Sequence, residues 1–399
     1  MDIQYKIIIT IILFVLILSF LLKYILNNNN NNNDKFINPF DYKNMRQNSK
    51  LLPNNIPMIE SFKDYKIRIG TGIGKDFNVY INILDYITNF YQNSYNDSQI
   101  ITQGNNIIVL EHIPAKTNYS NVIFIPNQEL VTNMDEKMLL LPGKVRLVLC
   151  KSKYAQKIFE NFKRNFNCKW DVSSFIFPPL LTTKFYNYTK DRNIFFHPAG
   201  KSYMKNTTTL INTWSQNPAW PLLIITCSDH CINYHNVISN SKNIKVYKFL
   251  NKENLYTLQK HCGYVIMPSS CEGFGHTAYE ALENGNLLIT TDIPPLNEML
   301  KDKINCMMIK PHSNIYLGTK NKDNFKWIEN RSKNIGLMGS YCVDIAINDI
   351  EEIVNNSIKL SDCCYNKIRL NAVNNLYDMI LTGKESLHNA FYKAGLEVK

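Results

Sequence analysis

Apolar residues follow different patterns in successive parts of the chain. From Ile7 to Leu22 they form one uncharged run, interrupted only by Thr10 and Ser19, between Lys6 and Lys23, prolonged by Tyr24, Ile25 and Leu26. A bilayer core accepts roughly 20 apolar residues as a helix, so residues 1–26 predict a transmembrane anchor. A cleaved signal peptide is the rival reading, but the run is long for one and no small-residue cleavage site follows it. Seven asparagines, Asn27 to Asn33, come next, and residues 27–60 stay polar and interrupted by Pro39, Pro53 and Pro57, as a solvated stem does.

Beyond residue 60 the apolar positions arrive as short runs that alternate with helical periodicity. Lys66 to Ile69, Ile107 to Leu110, Val122 to Ile125 and Val145 to Cys150 predict strands in residues 61–190; Asn193 to His197, Leu222 to Cys227, Ile244 to Phe249 and Tyr264 to Met267 predict strands in residues 191–360. Between them, Asn78 to Tyr91 carries Val79, Ile81, Leu84, Ile87 and Phe90 on one face, Ser152 is placed to cap a helix to Phe162, and helices are predicted at Thr207 to Trp214 and Lys252 to His261. Strand and helix in alternation predict an α/β fold with parallel sheets covered on both faces. Asp349 to Leu360 and Ser361 to Thr382 read as helices, and residues 361–399 are expected to cross back to the first globular region.

At 399 residues the chain exceeds one ordinary core and suits two globular domains with an appendage. The net charge of +11 admits anionic partners, but charged residues make up 19% of the chain and form no dense Lys/Arg run, which argues against nucleic acid. Ten scattered cysteines read as buried thiols of a reducing compartment. Cys227 and Cys231, near His230 and His235, lack the second cluster that a metal site of that spacing needs, so no metal is assigned. Lys23, Lys35, Lys43 and Arg46 follow the anchor and place the globular part in the cytosol. Sequons at Asn96, Asn118, Asn187, Asn206, Asn330 and Asn355 favour the lumen, yet an asparagine-rich chain generates them by chance.

Candidate chemistry lies where predicted strands end. Gly70-Thr71-Gly72-Ile73-Gly74 is either a tight turn or a ligand loop. Glu111-His112 follows a strand directly; His112 is a candidate for acceptor contact or proton transfer and equally a plain loop histidine. Glu129, after the next strand, faces the same way. Gly200, Lys201 and Lys205 form a basic, glycine-containing loop ahead of a helix, which reads as a diphosphate cradle or a solvated turn. The stretch from Tyr264 to Leu300 places Glu272 in a strand-end loop and Glu280 in the following helix, with Gly273 and Gly275 allowing close approach of the backbone to a ligand.

Residues 191–310 resemble the donor domain of GT-B retaining glycosyltransferases, in particular the family 4 group (glycosyl transferases group 1). The matching positions are Glu272-Gly273-Phe274-Gly275 with Glu280-Ala281, Phe249-Leu250 before the helix containing Glu253, Gly200-Lys201 with Lys205, and Thr291-Asp292-Ile293-Pro294 before Glu298. The asparagine-rich, membrane-anchored setting is also similar to glycosyltransferase-like proteins of giant DNA viruses. The resemblance implies two Rossmann-like domains facing a central cleft, and transfer from a UDP- or GDP-sugar, with no further cofactor or metal required, to a glycan, lipid-linked or protein acceptor. It implies that Glu272 binds donor-sugar hydroxyls at the reacting carbon, Glu280 the ribose, Lys201 and Lys205 the diphosphate, and the segment Gly273, Phe274, Gly275, His276 and Thr277 the sugar and phosphate. Lys201 stands where the family has arginine and Leu287 where it commonly has proline. A catalytically degenerate protein that binds sugar nucleotide or glycan as an anchored scaffold is the alternative.

Overall fold

The structure, a computed structural model, describes residues 65–68, 106–110, 113, 122–131, 133–175, 189–200, 202–227, 238, 240–247, 250, 252–317 and 340–393. The anchor and stem, the Gly70–Gly74 loop, the Asn78–Tyr91 helix, His112 and Lys201 lie outside the described residues. Among the described residues no helix is long and apolar enough to cross a membrane.

Two parallel sheets organise the chain. The first has the order β1-β2-β3-β4-β5, from β1 (Tyr65–Arg68), β2 (Asn106–Leu110), β3 (Val122–Ile125), β4 (Val145–Cys150) and β5 (Asp171–Ser174). The second has the order β11-β10-β9-β6-β7-β8, from β6 (Asp191–Gly200), β7 (Leu222–Cys227), β8 (Ile244–Tyr247), β9 (Cys262–Met267), β10 (Leu287–Thr291) and β11 (Met307–Ile309). An antiparallel pair, β12 (Ser313–Leu317) and β13 (Ser340–Asp344), stands apart from both. The connecting helices are α1 (Asn133–Leu140), α2 (Lys153–Asn165), α3 (Thr207–Gln216), α4 (Lys252–His261), α5 (His276–Glu283), α6 (Leu296–Met299), α7 (Ile347–Ile358) and α8 (Asp362–Lys393). The sequence reading ends its last helix at Thr382, whereas α8 continues to Lys393.

The inner strands are continuous apolar runs because both faces are covered, and successive side chains go to different cores while those two apart share one. Val122 and Phe124 of β3 join Phe159 and Trp170 in a core behind the first sheet. Tyr264 and Ile266 of β9 join Trp214 and Val354 behind the second. The residues between them, Ile123 and Ile125 of β3 and Val265 and Met267 of β9, share a third core with Phe274 and with Leu376, Met379 and Ile380 of α8. Helix α8 packs on α5 and β10 and also reaches β5. One apolar layer therefore joins the two sheets.

At the edge of the second sheet where β6 and β9 begin, basic side chains close helix ends. Lys190 Nζ donates to the carbonyls of Lys260 at 2.6 Å and Asn284 at 2.7 Å, which end α4 and α5. Arg192 donates to the Leu360 carbonyl at 2.6 Å and to Asp362 at 2.6 Å, joining the end of α7 to the start of α8. Such donors meet the orphan carbonyls at helix ends. The carboxyl ends of the strands lie at the opposite edge. Cys227, read from sequence as a free thiol, is disulfide-bonded.

Candidate functional site

The buried strand β9 delivers a loop of small residues at its carboxyl end, and hydrogen bonds hold that loop on three sides. Ser270 N–H donates to the Met204 carbonyl at 2.8 Å, Val343 N–H donates to the Ser270 carbonyl at 2.9 Å, and Asn206 Nδ2 donates to the Pro268 carbonyl at 2.8 Å and to Ser270 Oγ at 2.7 Å. Asn206 sits in the left-handed region (φ 49°), which asparagine tolerates better than most residues, and it caps α3. Its amide nitrogen, the atom a glycan would occupy, is thus committed inside the fold.

The loop from β6 to α3 and the loop from β9 to α5 meet in an ion pair between Lys205 Nζ and Glu272 Oε1. The two side chains are 12% and 10% exposed, so water screens the pair weakly. Gly200 is exposed at the end of β6 with φ +60°, where its lack of a Cβ permits the turn. Gly275 (φ +86°) starts α5, and a Cβ there would meet Leu296 Cδ2 at 2.5 Å, so both backbone and packing require glycine. Phe274 is buried, with His276 edge-on at 5.1 Å between ring centroids; His276 and Thr277 open α5 and are half-buried. Glu280 lies one turn further along, 8% exposed, and accepts from Gln259 Nε2 of α4 at 3.4 Å. The geometry thus brings Lys205, Glu272 and the Gly273–Gly275 loop together, whereas Glu280 lies against α4.

Behind Lys205 stands His197 of β6, fully buried. Its Nδ1 lies 2.8 Å from the Ile266 carbonyl and its Nε2 3.0 Å from Thr207 Oγ1, so Nδ1 carries the proton and donates while Nε2 accepts from the hydroxyl. Burial lowers its pKa from 6.5 to about 4; the hydrogen bond to Ile266 opposes this and the Lys205 charge adds to it. The imidazole is therefore neutral near pH 7 and ties β6, β9 and α3 together under the lysine loop.

The first sheet supplies the facing wall. Glu129, in the turn Gln128–Leu130 after β3, lays its carboxylate on Gly273: a Cβ at Gly273 would lie 2.1 Å from Oε1 and 2.2 Å from Oε2. Lys151, immediately after β4 and buried, donates to Asn127 Oδ1 and stands 5.9 Å from the centre of the Phe274 ring. Glu298 of α6 accepts from the backbone N–H of Lys153 at 2.8 Å and of Tyr154 at 2.7 Å, beside Ser152, whose Oγ accepts from Ala155 N–H at 3.0 Å. Two carboxylates, Glu129 and Glu272, act on the same buried thiol. The bonded Cys342 thiol, burial and then these two charges push Cys271 well above its ordinary pKa.

Sequence reasoning missed Lys151 and His197. Lys151 obeys the rule that singled out His112, a polar residue directly after a buried strand, so a signal was present. His197 gives no such signal, because it reads as one more strand residue.

Residues 183–320, roughly a third of the chain, match the family described as Glycosyl transferases group 1. No curated protein matches the chain. The crystal structure of TarM is similar with a TM-score of 0.50 at 13% identity, over 72% of this chain and 54% of that one. A variant of S. aureus TarM, in complex with Fondaparinux, alpha-GlcNAc-glycerol and UDP, is similar with a TM-score of 0.50 at 13% identity, over 72% of this chain and 55% of that one. The chain thus spans about half the length of these structures, and the likeness is one of fold.

Proposed function

We propose that the chain is a nucleotide-sugar-dependent glycosyltransferase of GT-B architecture, whose donor binds between the carboxyl ends of the two parallel sheets. The observation that carries the reading is the Lys205–Glu272 pair beside Gly273, inside the stretch that matches the group 1 family. Breaking the bond between sugar C1 and the phosphate oxygen leaves negative charge on the diphosphate. Lys205, with Lys201 on the same loop and the N–H groups at the start of α5, meets that charge in a site shielded from water, without calling on a metal. Glu272 is assigned to hydroxyls of the donor sugar and Glu280 to the ribose. A diphosphate that takes over Lys205 frees Glu272 for the sugar, so the pair and the complex use the same two side chains.

Attack by the acceptor hydroxyl on the face from which the diphosphate leaves gives retention, the acceptor proton passing to the departing phosphate oxygen. His112 is kept as an acceptor-side candidate, and the acceptor itself as a glycan, a lipid-linked sugar or a protein. The apolar run 7–26 supports membrane anchoring, and the lysines and arginine that follow it support a cytosolic catalytic part.

Incubation of the full chain with a panel of UDP- and GDP-sugars and candidate acceptors tests the reading. Donor-dependent release of nucleoside diphosphate is expected, reduced at least a hundredfold in Glu272→Ala, since loss of one preorganised polar contact at a reacting centre costs about 10²–10³ in rate. Saturable nucleotide binding with no turnover across the panel would instead identify an anchored scaffold.

A further inference from the structure

At Gly273 a side chain has no room, because the space its Cβ would enter holds a carboxylate from the facing sheet. Both oxygens of Glu129 lie closer to the Gly273 Cβ direction than any real Cβ tolerates. Lys205, the cation of the same site, is likewise met by a carboxylate of the chain, Glu272. A carboxylate and a phosphate each present anionic oxygens to backbone and lysine donors, so the two compete for the same partners. Glu129 and Glu272 also add two negative charges next to the place a diphosphate must take, and in a site this enclosed such charges repel strongly.

Resting on the assignment of a nucleotide-sugar donor to this site, we infer that Glu129 is a built-in competitor of the donor. Its carboxylate occupies the seat over Gly273 that a phosphate of the donor takes, and its withdrawal is a step of donor binding. The device sets donor affinity from the half of the molecule that faces the donor loop.

Calorimetric titration of the full-length wild type, Glu129→Gln and Glu129→Ala with UDP and with GDP tests this. If the occupied seat leaves about a tenth of molecules competent, removing the occupant lowers the dissociation constant about tenfold in Glu129→Ala. Glu129→Gln, which keeps the shape and loses the charge, is expected to fall between it and the wild type. Thermal melting without nucleotide verifies that each variant is folded. Equal nucleotide affinity in all three proteins overturns the inference while leaving the glycosyltransferase reading in place. Weaker binding in the variants also overturns it, making Glu129 a ligand of the donor. Binding by the variants where the wild type shows none supports it in its strongest form. If no protein of the set binds either nucleotide, the donor assignment fails and the inference with it.

Discussion

Acid should loosen the site through His197. His197 is fully buried, with its ring nitrogens committed to the Ile266 carbonyl and the Thr207 hydroxyl. Its pKa falls from 6.5 to about 4, with burial as the main cause. Between these values the unfolded chain binds a proton that the folded chain refuses, so stability is full above pH 6.5 and declines as the pH drops towards 4. Over that span of 6.5 − 4 = 2.5 pH units, at about 1.4 kcal/mol per unit, the loss is about 3 kcal/mol. At a urea slope of ~3 kcal/mol/M, the midpoint moves by roughly 1 M. The comparison protein is His197→Asn, whose amide keeps a donor towards Ile266 and does not titrate. Urea midpoints of both proteins between pH 7.5 and 4.5 should diverge, the wild type falling more steeply, and their difference removes the other titrating groups. Parallel pH profiles would refute the reasoning and move the acid sensitivity to another group. A flat wild-type profile would refute it as well.

Glu298→Ala removes a carboxylate from two backbone N–H groups at the start of α2, an arrangement equivalent to a helix cap supplied from the other sheet. A loss of ~1–2 kcal/mol is expected, smaller in Glu298→Gln and reduced by salt, and denaturant titration at two ionic strengths checks both. Asn206→Gly keeps the left-handed backbone and gives up the bonds to Pro268 and Ser270, whereas Asn206→Ala gives up both, so Ala should cost more by about 1 kcal/mol. Mass spectrometry of the protein from a glycosylating host should find Asn206 unmodified, because its Nδ2 is engaged within the fold.

The parts legible from sequence are those fixed locally. A buried parallel strand is a continuous apolar run, so β3, β4, β7 and β9 stand out, and Ser152 announces α2 because capping needs a residue type at one offset. The Glu272 loop and the Lys205 loop each read as strand-end chemistry, and parallel strand order alone suffices to bring β6 and β9 side by side. What stays hidden is the pairing across sheets. Lys153 and Glu298 are 145 residues apart and no periodicity connects them. Gly273 was legible as a place of close approach, but the partner in that place is set by how the sheets face each other. Glu280 was legible from its motif position, but its neighbour Gln259 of α4, which donates to it at 3.4 Å, was not.

That facing arrangement is governed by apolar burial more than by the polar links which mark it. Ile125, Leu149 and Phe175 on one side and Met267, Phe274 and Leu376 on the other belong to one cluster. At ~1.5–3 kcal/mol for each buried side chain, parting them would cost on the order of 10 kcal/mol. The Glu298 contacts, at ~1–2 kcal/mol, are too weak to hold the sheets together and instead set their register. Exchange of ligands at the site is then a local event, in which Glu129 leaves Gly273 and Glu272 leaves Lys205 while the shared core stays closed. Variants at Glu129 and Glu298 should accordingly change affinity and local order without changing the sedimentation coefficient. An expanded particle in either variant would mean that the carboxylates, and not the apolar layer, hold the two sheets face to face.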